Sequence, residues 1–416
     1  MRKSVTALLL SLCLMLCLAA PAQAAAPQGN ACPIIFVPGL AGWGEGAGLD
    51  KVVPGWGLLA GSIPKYLGGY GYECHAASVG PVSSVWDRTC ELYAQLTGAR
   101  VDYGAAHAAK HGHDRFGETY QKALVPGWND SDRRVHLVGH SLGGATTRLL
   151  AQLLAYGDAD ERAATPAQAL SPLFSGTLDG RVASITTLGA PHNGSTTCEP
   201  AVGGISSLQK MLTALGYASN ILPFFSRVYP FRLGHFGMSF ANFWRAPWKA
   251  FEVKRAFDES ADRAEADLSV DGAAALNKSI QCLPGIYYFS YYAQKTRDGG
   301  DGSQVPEAGM WALFRGPAAA MGLRRAPYYT AGGTLIDDAW LPNDGLVNVI
   351  SARFPFGEPH RDYDPADVRP GVWQVMPVID VYDHMDFAGG LQRLGGAPGI
   401  REFYLSLARM LEGTEP

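Results

Sequence analysis

Short apolar runs that end in glycine or proline recur along the chain, with longer mixed segments between them. The first is Pro33–Gly39, PIIFVPG, which reads as a buried strand feeding a loop. Arg134–Gly139 repeats the pattern and is followed by a helical stretch from Gly143 to Tyr156. Val182–Gly189 and Ile286–Tyr291 are two more such runs, and Trp373–Val378 is a weaker fifth. Strands separated by helical patterns predict an α/β fold with a mostly parallel central sheet and crossover helices. No internal repeat and no long charge run interrupts this order.

Two stretches fit neither sheet nor crossover. Residues 86–118 carry Asp87, His107, His111 and His113 among small residues, and residues 200–260 carry a dense aromatic set from Phe224 to Phe251. Both are long for plain connections, so each is expected to perform a task of its own. Ahead of the first strand, Arg2 and Lys3 precede an apolar run from Val5 to Ala20, closed by Ala22-Gln23-Ala24. This is the pattern of a secretory signal peptide over residues 1–24, leaving 25–416 as one exported domain in periplasm or medium.

Composition narrows the class. With 47% hydrophobic and 17% charged residues among 416, the chain can bury a large core, which excludes disorder as its main state. A net charge of −4 provides no basic field for nucleic acid. Beyond the leader five cysteines remain, Cys32, Cys74, Cys90, Cys198 and Cys282, without a C-x-x-C spacing. One disulfide is compatible with export, and the odd number leaves at least one thiol unpaired.

The chemistry starts at Gly139-His140-Ser141-Leu142-Gly143, a G-x-S-x-G pentapeptide between a strand and a helix. Such a turn presents the Ser141 hydroxyl at a helix N-terminus, where aligned N–H groups favour an alkoxide. A serine needs a base, and in this arrangement acid and histidine follow in chain order. Asp344, in Asn343–Asn348, and His384, in Tyr382–Asp386, supply them, with Asp337 or Asp338 and His360 as rivals. Oxyanion donors are expected from the backbone of Leu142 and of Leu40, in the loop after the first strand. The histidines at 107, 111 and 113 add a cluster suited, with carboxylates, to a structural zinc site.

Taken together, Trp86-Asp87-Arg88, Val101–Gly117, Gly139–Gly144, Ala190–Gly194, Asp267-Leu268-Ser269 and Asn343–Asn348 resemble the bacterial lipase family of the staphylococcal and thermoalkaliphilic bacillary lipases. The resemblance runs from about Pro33 to Leu411. It implies an α/β-hydrolase fold, hydrolysis of acylglycerols at an oil–water interface, and a triad of Ser141, Asp344 and His384. It also implies oxyanion donors at Leu40 and Leu142, and zinc held by Asp87, His107, His113 and Asp267, with His111 a bystander. A helical lid is expected within residues 200–260, its end tethered by the zinc at Asp267.

The chain departs from the family pattern at several points. Pro38 replaces the usual histidine before the oxyanion-loop glycine, and Leu142 follows the nucleophile where the bacillary members often carry glutamine. Gly139 replaces the alanine of the heat-stable branch, so thermostability is not inherited. For the family's Ca2+ site Asp386 remains, but Gly389–Arg393 lacks the Asp-Pro that should follow, which sets calcium in doubt. A short-chain esterase, an aliphatic polyester hydrolase, and a non-catalytic lipid-binding homologue are the competing functions.

Overall fold

A computed structural model describes residues 29–200, 202, 227–392 and 394–415. The signal-peptide reading, Phe224, Phe225 and much of the expected lid lie outside the described residues.

The core is a seven-stranded sheet built from β1 (Ile34–Val37), β2 (Cys74–Ala76), β3 (Val135–His140), β4 (Val182–Leu188), β5 (Tyr287–Tyr291), β6 (His360–Asp362) and β7 (Trp373–Val375). Its order is β6-β7-β5-β4-β3-β1-β2, and every neighbouring pair is parallel. The five runs expected from sequence are five of these strands. They read as unbroken apolar runs because a parallel sheet is covered on both faces. Residues 34–37 alternate between those faces: Ile35 and Val37 enter one core cluster, and Ile34 and Phe36 the other. The two edge strands, β2 and β6, have three residues each and are only partly buried, so they carry no such run.

The helices that matter here are α1 (Val85–Thr97), α2 (Ala105–His111), α3 (Leu142–Tyr156), α4 (Ala250–Glu259) and α5 (Ile400–Glu412). α1 and α3 pack together under one face of the sheet, where Leu92, Leu96, Leu149 and Leu150 are buried, and α5 covers the other through Tyr404 and Leu407. The stretch 86–118 is therefore not all insert. α1 is a buried layer helix, capped by Ser84, whose hydroxyl accepts from the Asp87 amide at 3.1 Å. The insert proper is the antiparallel pair Arg100–Asp102 and Phe116–Thr119, which encloses α2. Within 227–260, Phe231, Leu233, Met238 and Phe257 form a small buried cluster with Val82. All five cysteines among the described residues are free thiols.

Candidate active site and metal centre

Ser141 stands at the crest of the sheet, between the last residue of β3 and the first of α3. Its backbone takes φ 53 and ψ −126, a conformation few side chains adopt. The turn is possible because its neighbours lack side chains. A Cβ on Gly139 would meet the Gly143 carbonyl oxygen at 2.5 Å, and one on Gly143 would meet that of Val37 at 2.2 Å. The loop after β1 is equally close, since a Cβ on Gly39 would sit 2.7 Å from the Ser141 Cβ.

Asp344 and His384, forty residues apart, meet here. The His384 Nδ1–H donates to Asp344 Oδ2 at 2.9 Å, and the His384 amide donates to the Asp344 carbonyl at 3.0 Å. The other carboxylate oxygen, Oδ1, accepts the amides of Leu346 at 3.0 Å and Val347 at 2.8 Å. Asp344 is thus both turn former and imidazole partner, one oxygen for each. Nδ1 being the donor, Nε2 of the neutral ring is left as the basic nitrogen. Ser141 and His384 line one cavity of about 240 Å³, together with Leu40, Trp311, Leu313 and Phe314. Leu142 opens α3, where a helix leaves its first N–H groups without partners inside the helix. The rivals lie elsewhere: Asp337 caps a short turn at the Ala339 amide, Asp338 faces Arg324 at the surface, and His360 stacks on Phe354 at the sheet edge.

A second cluster lies beneath the insert. Asp87, His107, His113 and Asp262 bring one ligand atom each to within 4.8 Å of one another. Asp262 takes the place expected for Asp267. Its Oδ2 lies 3.1 Å from Nε2 of both His107 and His113, whereas the Asp267 carboxylate turns back to accept the Val85 amide at 2.6 Å. The correction has a local cause: Asp262 sits in the turn between α4 and the short helix Ala264–Leu268, while Asp267 is committed within that helix to the start of α1. His113 Nδ1 donates to the Asp114 carbonyl at 2.9 Å, which leaves Nε2 to face the carboxylates. Asp87 Oδ1 is buried without a hydrogen bond, and two carboxylates with two imidazoles are a tetrahedral zinc set. Burial opposes charge on His107, yet Asp262 and Asp87 beside it push its pKa up to about 9. The residues fit a divalent metal.

Over residues 30–411 the sequence matches the family described as "Lipase-like, C-terminal domain". The chain belongs to this family. Lipase 2 of Staphylococcus aureus is 36% identical over 372 residues, 86% of this chain and 50% of that protein. A Staphylococcus epidermidis lipase is 35% identical over 371 residues, with the same coverage of 86% and 50%. This chain spans about half the length of both relatives. The crystal structure of Staphylococcus hyicus lipase superposes with a TM-score of 0.81 at 31% identity, covering 94% of this chain and 97% of that one. EstA from Clostridium botulinum gives 0.76 at 33% identity, covering 94% and 89%.

In this lipase-like domain the described residues of the loop after His384 engage their carboxylates in hydrogen bonds. Asp383 and Asp386 approach each other, but the Gln392 side-chain amide reaches both, at 3.2 and 3.5 Å, and the Asp383 amide donates to Asp386. Burial and then the charge of Asp386 push Asp383 up to about 6. Among the described residues this is a hydrogen-bonded carboxylate pair, not a cage of six or more oxygens.

Four supporting residues of the lipase-like domain were not legible in advance. Arg88, fully buried, donates to Thr146 Oγ1 at 3.2 Å, to the Gly80 carbonyl at 2.6 Å and to the Pro38 carbonyl, pinning the loop that carries Leu40. Burial lowers its pKa to about 10, so it stays charged. His140 Nε2 donates to the His384 carbonyl at 2.9 Å, and His235 Nε2 lies 2.8 Å from Asp87 Oδ2. Asp262 is the fourth. Only Trp86-Asp87-Arg88 and the position before Ser141 carried a signal, and it was a signal of pattern without a role.

Proposed function

We propose that the chain is an exported carboxylic ester hydrolase that cleaves acylglycerols through a Ser141 acyl-enzyme. The contact that carries this reading is the His384–Asp344 hydrogen bond on the wall of the cavity that also holds Ser141. His384 Nε2 removes the Ser141 Oγ proton as Oγ attacks the ester carbonyl, and Asp344 stabilises the imidazolium. The Leu40 and Leu142 amides receive the developing oxyanion. The imidazolium then protonates the departing alcohol, and water, activated by the same nitrogen, releases the fatty acid. Leu40, Trp311, Leu313 and Phe314 suit an acyl chain rather than a charged substrate.

Zinc bound by Asp87, His107, His113 and Asp262 would cross-link the insert to the segment after α4, a structural task. The helices from Phe240 to Glu259 would form the base of a lid that opens at an oil surface, as Trp244 and Trp248 stand exposed there at 63% and 70%. The residue 1–24 pattern would export the chain.

Ser141→Ala is the direct test. Turnover of emulsified long-chain and soluble short-chain esters is expected to vanish while the circular dichroism spectrum is unchanged. Turnover that survives in the variant would refute the mechanism. A preference for very short acyl chains, with no gain from emulsion, would turn the reading toward a short-chain esterase.

A further inference from the structure

At the other end of the central strands from Ser141, three chain segments bring zinc-type donors together. Cys32 precedes β1, His136 is the second residue of β3, and Glu415 follows α5. Their sulfur, nitrogen and oxygen ligand atoms lie within 4.8 Å of one another. Cys32 is 4% exposed and His136 fully buried, and the Glu415 side chain is 9% exposed.

The donors are oriented. His136 Nδ1 lies 2.7 Å from the buried Ser184 hydroxyl, so Nε2 is the nitrogen turned to the cluster, 3.2 Å from Glu415 Oε1. The Glu415 carboxylate is held from behind by the Ala31 amide at 2.9 Å and the Cys32 amide at 3.0 Å. The His136 amide in turn donates to the Pro33 carbonyl at 2.9 Å, fixing Cys32 and His136 in register. Of the neighbouring guanidinium groups, Arg133 pairs with Glu73, and Arg134 donates through Nη2 to the Val182 and Gly285 carbonyls. A secluded carboxylate beside a thiol and an imidazole is a set of donors that a divalent cation would satisfy together.

We propose that Cys32, His136 and Glu415 form a second metal site, sulfur-containing and separate from the Asp87 cluster, with zinc as the metal that suits thiolate, imidazole and carboxylate together and water as the fourth ligand. Binding exchanges the Cys32 Sγ proton for the metal, and the proton leaves to solvent. The metal staples the segment before β1 and the segment after α5 to the middle of the sheet.

Sulfur makes the test specific, because Asp87, His107, His113 and Asp262 offer none. Full-length protein stripped with a chelator and titrated with Co2+ is expected to develop a near-ultraviolet sulfur-to-cobalt charge-transfer band. Cys32→Ser is expected to lose the band and one bound equivalent, while Asp262→Asn keeps the band. Glu415→Gln, which preserves shape and one acceptor, is expected to weaken Co2+ at the banded site at least roughly tenfold. Folded wild-type protein without the band overturns the proposal. So does a band that persists in Cys32→Ser, or Co2+ affinity unchanged in Glu415→Gln.

Discussion

The backbone of Ser141 stores strain of about 1–3 kcal/mol, and several side chains around it keep the turn from relaxing. His140 is one of them. Burial, then the nearness of His384, pushes its pKa down to about 3, so the ring is neutral and its Nε2–H is available to the His384 carbonyl. The folded-state value lies below the ordinary 6.5, so the unfolded chain gains a proton that the folded one refuses. Stability is therefore full above pH 6.5 and falls as the pH drops from 6.5 toward 3. His140→Gln keeps an N–H near the same place without titrating, and chemical denaturation at pH 7 and pH 4 is expected to show a smaller loss in the variant. Arg88 acts on the other side of the site. Arg88→Met strips the buried Pro38 and Gly80 carbonyls of their donor, costing on the order of 2–4 kcal/mol. Because the Leu40 loop loosens, kcat on a soluble ester is expected to fall more than KM rises.

Among elements, what the chain declares in advance depends on how local the determinant is. β1, β3, β4, β5 and β7 are buried runs, and the turn before α3 needs glycines that the sequence prints side by side. β2 and β6 are held by pairing at the sheet edges, which leaves no apolar run to find. Asp344 and His384 could be placed only by chain order and resemblance, since their meeting depends on loops after β5 and β7. The fourth member of the Asp87 cluster shows the limit most plainly. Asp262 and Asp267 are five residues apart in similar surroundings, and the choice is made by a turn: the Asp262 amide bonds the Ser260 hydroxyl at 3.0 Å and aims the carboxylate at His107 and His113. Asp262→Asn is accordingly expected to lose the zinc equivalent in elemental analysis and to lower Tm. Asp267→Asn should retain the metal, and equal metal loss in both variants would contradict the assignment.

At the scale of the whole molecule, the Asp87 cluster, the residue 227–260 segment and the Leu40 loop form one connected body. His235 and Asp262 reach the cluster from either side of the helices between Phe240 and Glu259. From the same segment Phe231, Met238 and Phe257 pack with Leu40, and the Tyr229 hydroxyl donates to the Ala41 carbonyl at 2.7 Å. The outer side presents Trp244 and Trp248 to solvent. An apolar pair so placed suits contact with an oil surface, and transmission of that contact requires the base to stay anchored. Trp248→Ser is therefore expected to reduce the rate on emulsified long-chain triacylglycerol several-fold while leaving the rate on a soluble short-chain ester unchanged. Removing zinc with a chelator should lower both rates, because the loosened base no longer holds the Leu40 loop. If Trp248→Ser depresses both substrates equally, the tryptophan serves packing or catalysis instead of the interface, and the proposed lid role of these helices fails.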